Sequence, residues 1–363
     1  MKKLNFIIKY GLALLLLSFY SCESWLNVTP SDRLSEEMLF NDREGFVKAL
    51  NGVYIELNTN ELYGRNLTAG ALDVMGQYYS VASSSHAFYN YGGLVYTGND
   101  EKALFDNMWQ KCYAVIACCN TIIEKCDENK AGLSPVWKGS IKGEALALRA
   151  MLHFDMLRLF GPLTSELDKE SIPYQTNSDQ TVTPLLSGSE VIGLILDDLK
   201  NAVGLLKDTD PYFVEEEFSD TDLNYRRFRM NYFAAKGLMA RVQLWGGDKE
   251  KAAATAKEVI AEGQAEGAEF FPFVTNSEAT SSNPDRVFYS EVLFGTYHSS
   301  REKLHEDLFA PTLESTSILT LAGTARRDDL YDNENDYRYS VWSTYNKNGT
   351  SVLYHRKFEK QDN

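Results

Sequence analysis

Lys142-Gly-Glu-Ala-Leu-Ala-Leu-Arg-Ala-Met-Leu-His-Phe-Asp-Met-Leu-Arg-Leu-Phe-Gly-Pro162 is the stretch on which the fold turns. From Glu144 to Phe160 it has no proline, no glycine and no β-branched residue, and it is rich in Ala, Leu and Met. These side chains lose little rotamer freedom on a helical backbone, so the run predicts a helix. Gly161-Pro162 ends it, because proline has no N–H with which to continue the ladder. At about 100° per residue, Glu144, Asp155 and Arg158 share one narrow polar stripe, and Arg149 and His153 form a second almost opposite. Between the stripes lie two apolar faces, Leu148/Leu152/Met156/Leu159 and Leu146/Ala150/Phe154/Leu157. A surface helix needs one apolar face; two require neighbours on both sides, as in a stacked α-solenoid. Ala145, Ala147 and Ala150 admit a neighbouring backbone at close range.

Working outward, Tyr232 to Trp245 predicts one helix, Gly246-Gly-Asp248 a turn, and Lys251 to Ile260 an Ala-rich second helix. Small residues at a helix crossing and a Gly-Asp turn resemble one tetratricopeptide unit, which cannot bury its own faces and must stack on others. Leu104–Cys126 supplies one such neighbour, with Trp109, Tyr113, Ile116, Asn120 and Ile123 along a face. Ser187 to Leu206 supplies another, with Ser187 as N-cap, Glu190 three residues on, and a stripe from Val191 to Leu206. On that helix Asp197 and Asp198 read as solvated carboxylates. Cys112, Cys119 and Cys126 are seven apart, which on a helix separates their Cα atoms by about 10 Å. A disulfide needs less than about 7 Å. With Cys118 they read as buried thiols packing as small hydrophobes.

The run Cys119-Asn120-Thr-Ile-Ile, followed by Lys142 to Pro162, resembles the central segment of the SusD/RagB family, nutrient-capturing outer-membrane lipoproteins of Bacteroidota. The resemblance implies a mainly α fold: tetratricopeptide-like helix pairs in an α-α superhelix, a loop-rich face opposite, and little β. It places the tetratricopeptide-like core at about 104–263 and loop-rich binding regions at about 58–103 and 270–363. It also implies a glycan-binding lipoprotein that works with a SusC-type TonB-dependent transporter in oligosaccharide uptake, with no catalysis and no cofactor. Asn51-Gly-Val-Tyr54 is similar to the end of the family's first helix, for which Asn41 is the expected N-cap and Glu44 its capping-box partner. Asp336-Tyr-Arg338 resembles the family's Asp-x-Arg. Arg286 to Phe294 is β-prone and resembles a further family segment. Family members continue through more helices after a stretch like Lys357-Phe358, so the resemblance implies a C-terminally truncated chain.

Residues 1–21 combine a basic start (Lys2, Lys3, Lys9) with an apolar run from Gly11 to Leu17, too short to span a membrane. The Ser21-Cys22 pair then resembles a lipoprotein signal in which Cys22 becomes the acylated first residue of a domain running over 22–363. Ordinary cleavage nearby, with Cys22 a bystander, is the alternative. Glu23 to Phe40 reads as an extended leader. The expected location is the outer membrane, lipid-anchored and facing outside. A net charge of −15 argues against nucleic acid as a partner.

Between 58 and 103 a short helix is expected over Ala69–Tyr79, then irregular chain in which Ser, Gly and Asn alternate with aromatics. The family draws aromatic and amide side chains for its glycan site from this part of the chain. Tyr78, Tyr79, Tyr89, Asn90 and Tyr91 are the candidates here, with Tyr297 and Trp342 from the second loop region. An aromatic ring suits the apolar C–H face of a pyranose, and amides suit its hydroxyls. The plainer alternative for each tyrosine is packing of loop onto helix. The acids at 328–336 lack the ligand order and glycine of a calcium loop and read as solvated. No Gly-x-Ser-x-Gly elbow, phosphate loop or Rossmann fingerprint is present, and the five histidines are scattered. His153 reads as a paired core residue. Three readings stay open: nutrient-capturing lipoprotein for an oligosaccharide or peptide, helical glycoside hydrolase, and tetratricopeptide-type scaffold for protein partners.

Overall fold

Six long helices make the frame: α1 (Arg43–Leu57), α2 (Asn99–Glu128), α3 (Pro135–Phe160), α4 (Gly188–Thr209), α5 (Tyr232–Trp245) and α6 (Lys249–Gly263). The computed structural model describes residues 36–179, 181–264, 270–333 and 335–359. Cys22 and the leader up to residue 35, with the whole of 1–35, lie outside them. Among the described residues the architecture is mainly α, 54% helix and 7% strand. The strands form two small antiparallel pairs: β1 (Glu170–Pro173) with β2 (Leu185–Ser187), and β3 (Trp342–Lys347) with β4 (Thr350–His355).

α3 packs against α1, α2, α4 and α5, as two apolar faces require. It begins nine residues earlier than the sequence predicts, at Pro135, with the Ser134 hydroxyl accepting from Trp137 N at 3.3 Å. Gly139 and Gly143 are the reason α4 comes close. A Cβ on Gly139 would stand 2.6 Å from Thr209 Cγ2, and one on Gly143 2.7 Å from Leu206 Cγ. Ala145, Ala147 and Ala150 are fully buried.

Neither polar stripe of α3 faces water throughout. Arg149 Nε and Nη2 each donate to Asp198 of α4 at 2.7 Å, and Nη1 donates to Asn120 of α2 at 2.9 Å. Tyr174 donates to the same aspartate at 2.6 Å. Asp198 is therefore buried and bidentately paired, a correction to the solvated reading; Asp197 beside it is exposed. Asn120 also donates to Gln175 O (3.2 Å) and Asn177 O (2.9 Å), so the Cys-Asn motif fastens three helices and a loop. His153 accepts from Gln175 N at 3.0 Å through Nε2, which leaves Nδ1 to carry the proton toward Arg149 O at 2.9 Å. Burial pushes its pKa down to about 3. It is the paired core histidine expected.

On the other stripe Glu144 meets Arg226, whose guanidinium also grips Asp210 at 2.9 and 2.7 Å. Arg229 reaches Glu144 at 3.1 Å, and Tyr54 of α1 donates to it at 2.8 Å. Asp210 is fully buried. The arginines that neutralise these acids lie sixteen and more residues away, beyond any local periodicity.

Other boundaries shift for local reasons. Asp42, not Asn41, caps α1 by accepting from Gly45 N at 2.9 Å, and Glu44 pairs forward with Lys48 at 2.8 Å. Glu36–Leu39 is a helical turn, not extended leader. The helix expected at 69–79 is only Ala71–Met75. Cys112, Cys119 and Cys126 are buried free thiols, but Cys118 is exposed. α4 carries the full capping box of Ser187 and Glu190. The β-prone segment at 286–294 forms no strand: Asp285 accepts from Val287 N (3.0 Å) and Tyr289 N (2.7 Å), and Phe288 takes φ +51°. α5 and α6 pair as predicted, joined by a turn in which Asp248 caps α6 through Lys251 N. Among the described residues no helix is long and apolar enough to cross a membrane.

Candidate functional site

The seven ligand candidates fall into three separate groups. The first surrounds the β3–β4 hairpin, whose turn is Asn348-Gly349 with both residues at positive φ, the geometry a two-residue hairpin loop prefers. Trp342 lies 4.4 Å from His355 across the ladder, centroid to centroid, and 6.4 and 6.1 Å from Tyr78 and Tyr79. Phe309 closes the cluster against Tyr79 at 5.3 Å. Tyr79 and Trp342 are buried at 3% exposure each, and Tyr78 is half-buried with its hydroxyl 2.8 Å from that of Tyr331. Burial drives the Tyr78 and Tyr79 phenols up, lowers His355 to about 3, and raises the neighbouring Asp73 carboxyl to about 6. These aromatics pack the loop face onto itself, with Ser80 bridged to Thr320.

The second group is a braced turn over the N-terminal part of α2. Tyr91 is buried against Phe88, Tyr96 and Phe105, and burial beside Glu101 and Asp100 raises its phenol to about 12. Asn90 donates to Glu101 at 2.9 Å, and Gln77 donates to Gly92 O at 3.0 Å. What the turn presents outward is Tyr89, at 43% exposure, with Leu94 and Val95.

The third group centres on Phe228, which the sequence did not single out. Tyr225 stacks on it at 6.2 Å, Tyr289 lies at 5.3 Å, and Tyr297 meets it edge-on at 5.5 Å. Tyr297 and Tyr225 are 65% and 57% exposed. The segment carrying Tyr297 is tied to the solenoid by Asn231 Nδ2 donating to Leu293 O (2.7 Å) and Gly295 N donating to Arg227 O (3.0 Å). Tyr225-x-x-Phe228 is visible in sequence, but its union with a tyrosine about seventy residues on depends on these ties.

Two clefts open on the loop-rich face. One, of about 720 Å³, runs along the hairpin and is rich in hydroxyls, among them Ser315, Thr320, Thr344 and Thr350. Its one carboxylate, Glu314, pairs with Lys347 at 2.7 Å. The other, of about 320 Å³, lies between the chain after α1 and the start of α7 (Arg301–Leu308), and its one carboxylate is Asp307. Among the described residues no three His, Cys, Asp or Glu side chains gather to hold a metal ion. Arg338 pairs with Asp336 at 2.6 Å in the acidic segment.

A stacked-helix frame with tetratricopeptide-like pairing and an irregular aromatic-rich face defines the class. Residues 24–244 match the SusD-like family described as "Starch-binding associating with outer membrane", and the chain belongs to that family. It is similar to SusD-like protein P2 of Formosa agariphila, 26% identical over 265 residues, covering 71% of this chain and 46% of that protein. A SusD-like protein of Bacteroides ovatus is 30% identical over 146 residues, 39% of this chain and 23% of that one. The chain thus spans less than half the length of these relatives in the matched region. Among solved structures, a SusD-like carbohydrate binding protein from Bacteroides vulgatus shares the fold with a TM-score of 0.67 at 21% identity, covering 89% of this chain and 66% of that one. A SusD superfamily protein from the same species gives 0.63 at 17%, over 88% and 69%.

Proposed function

We propose that this chain is the ligand-capturing part of an outer-membrane lipoprotein that binds oligosaccharides and passes them to a SusC-type TonB-dependent transporter. The observation that carries the reading is family membership over residues 24–244, joined to exposed aromatics on a loop-rich face. Tyr297, Tyr225 and Tyr89 offer open ring faces held by rigid neighbours, suited to the weak, stacking-dominated capture of sugar rings. Tyr78, Tyr79, Tyr91 and Trp342 hold those loops in shape, and Asn90 steadies its turn through Glu101. Acylation at Cys22 is the proposed anchor, because two or more acyl chains tether a protein stably where one does not.

A glycan-array screen of the mature chain, with product analysis of bound glycans, tests the reading. Retention of intact oligosaccharides is expected; binding of peptides alone, or cleavage, would overturn it. Gentle solubilisation of membranes expressing both proteins should co-purify a large β-barrel partner, and Cys22→Ser should move the chain into the soluble fraction.

A further inference from the structure

The smaller cleft has a different chemistry from the aromatic surfaces. It is lined by Asn58, Asn60, Arg65, His298, Ser300 and Lys303 among others, and by no Phe, Tyr or Trp. At about 320 Å³ it is at the lower end of small-molecule sites. His298 staples its two walls. Nδ1 accepts from Ser300 N at 3.1 Å, so the proton sits on Nε2, which donates to Gly64 O at 2.9 Å. That bond joins the chain following α1 to the segment leading into α7, and it begins one residue after Tyr297.

The polar groups on these walls are not matched to each other. Arg65 spends Nε on Asn66 Oδ1 at 3.2 Å, and among the described residues no carboxylate pairs with its guanidinium. Lys303 pairs with Asp307 at 2.7 Å, so Arg65 leaves the cleft one positive charge in excess, within a chain whose net charge is −15. The cleft therefore lacks an anion for the guanidinium.

We propose that this cleft holds an anionic sugar residue, its acidic group on Arg65. A sugar bearing a carboxylate or sulfate ester supplies that anion. A planar guanidinium takes either oxyanion through two parallel N–H bonds. The inference rests on the glycan-capture reading and narrows it to acidic glycans, with the exposed face of Tyr297 available to the neighbouring ring.

Titration calorimetry of the mature chain tests it with trigalacturonate, its methyl ester and a sulfated galactose trisaccharide. At least one acidic probe should bind tenfold or more tighter than the neutral ester, and that preference should shrink as salt rises. Arg65→Gln should erase the preference. Lys303→Gln, on an exposed side chain, should reduce it a few-fold and covers the case in which the Arg65 variant fails to fold. Preference for galacturonate identifies a carboxylate site, and preference for the sulfated probe a sulfate site. Equal affinity for acid and ester, unaffected by either variant, would overturn the inference and leave glycan capture standing. No binding of these probes or of any glycan on an array would overturn capture itself.

Discussion

Around α3, burial goes with pairing: Glu144, Arg149, Asp198, Asp210 and Arg226 are all at or below 7% exposure, and each is held by an opposite charge. On the loop-rich face, Trp342 Nε1, His86 Nε2, His305 Nδ1 and Arg286 Nη1 are shielded from water and have no partner; on the frame Trp137 Nε1 of α3 and Ser171 Oγ of β1 are left so, but none of its charged groups named above is. The solenoid uses its polar groups to set which helix meets which. The loop face is held by rings, which pack well at many angles and specify less. A frame of the first kind is stiff, and a surface of the second kind can vary its loops without losing the fold.

The largest effect that tests this contrast is expected at Arg226. Arg226→Ala strands Asp210 in the core and leaves Glu144 to Arg229 and Tyr54, and breaking a buried pair from one side costs about 3–5 kcal/mol. Urea unfolding measures it; a loss under about 1 kcal/mol would mean that water reaches these acids and that the network is not a core element. Trp342→Ala probes the other region, where removing a buried ring costs about 3–5 kcal/mol if the hairpin unfolds with the solenoid. A separate early transition in the urea curve would instead make the hairpin cluster its own cooperative unit.

Acidification gives the next largest effect. His153 and His355 are each held down to about 3 by burial. Between about pH 6.5 and 3 the unfolded chain takes up protons that the folded histidines refuse. Their stabilisation is therefore complete above about pH 6.5 and is lost as pH falls, at about 1.4 kcal/mol per unit for each. From pH 7 to 5 the pair costs about 4 kcal/mol. Asp73, raised to about 6 by burial, works in the opposite direction: it binds a proton more readily when folded and returns about 1.4 kcal/mol over the same interval. A net loss of about 3 kcal/mol at pH 5 should appear in urea midpoints measured across that range. A flat profile would mean that both rings open to solvent well below the unfolding transition.

The same contrast explains what the sequence made legible. α3 was readable because helix periodicity is local, and the turn between α5 and α6 because Gly-Asp chemistry is local. Asp198 was misread because its partner Arg149 lies on another helix, 49 residues away. The hairpin is a different case, since Asn348-Gly349 between β-prone runs is a strong local turn signal and was available in the sequence. Among the candidate aromatics, residue type and loop composition select Tyr91 and Tyr89 equally well. Only the packing of the turn onto Phe105 buries one and exposes the other, and a sequence without periodicity has no means of expressing that choice.

Tyr297 offers the smallest and most discriminating test. Its ring is 65% exposed and touches Phe228 only by an edge, so Tyr297→Ala removes little buried surface and should change stability by less than about 0.5 kcal/mol. If the ring is a sugar platform, the same truncation should weaken glycan binding by about 1–3 kcal/mol, the range for losing an aromatic anchor. Tyr89→Ala, at a ring 43% exposed, is the comparison from the braced turn. A ligand spanning both surfaces would lose affinity with either change, and a ligand seated beside His298 would respond to Tyr297 alone. Measuring both variants by calorimetry against one oligosaccharide therefore places the ligand on the face. If neither variant weakens binding while both keep wild-type urea midpoints, the exposed tyrosines are not the platform and the hydroxyl-lined cleft along the hairpin becomes the site to test.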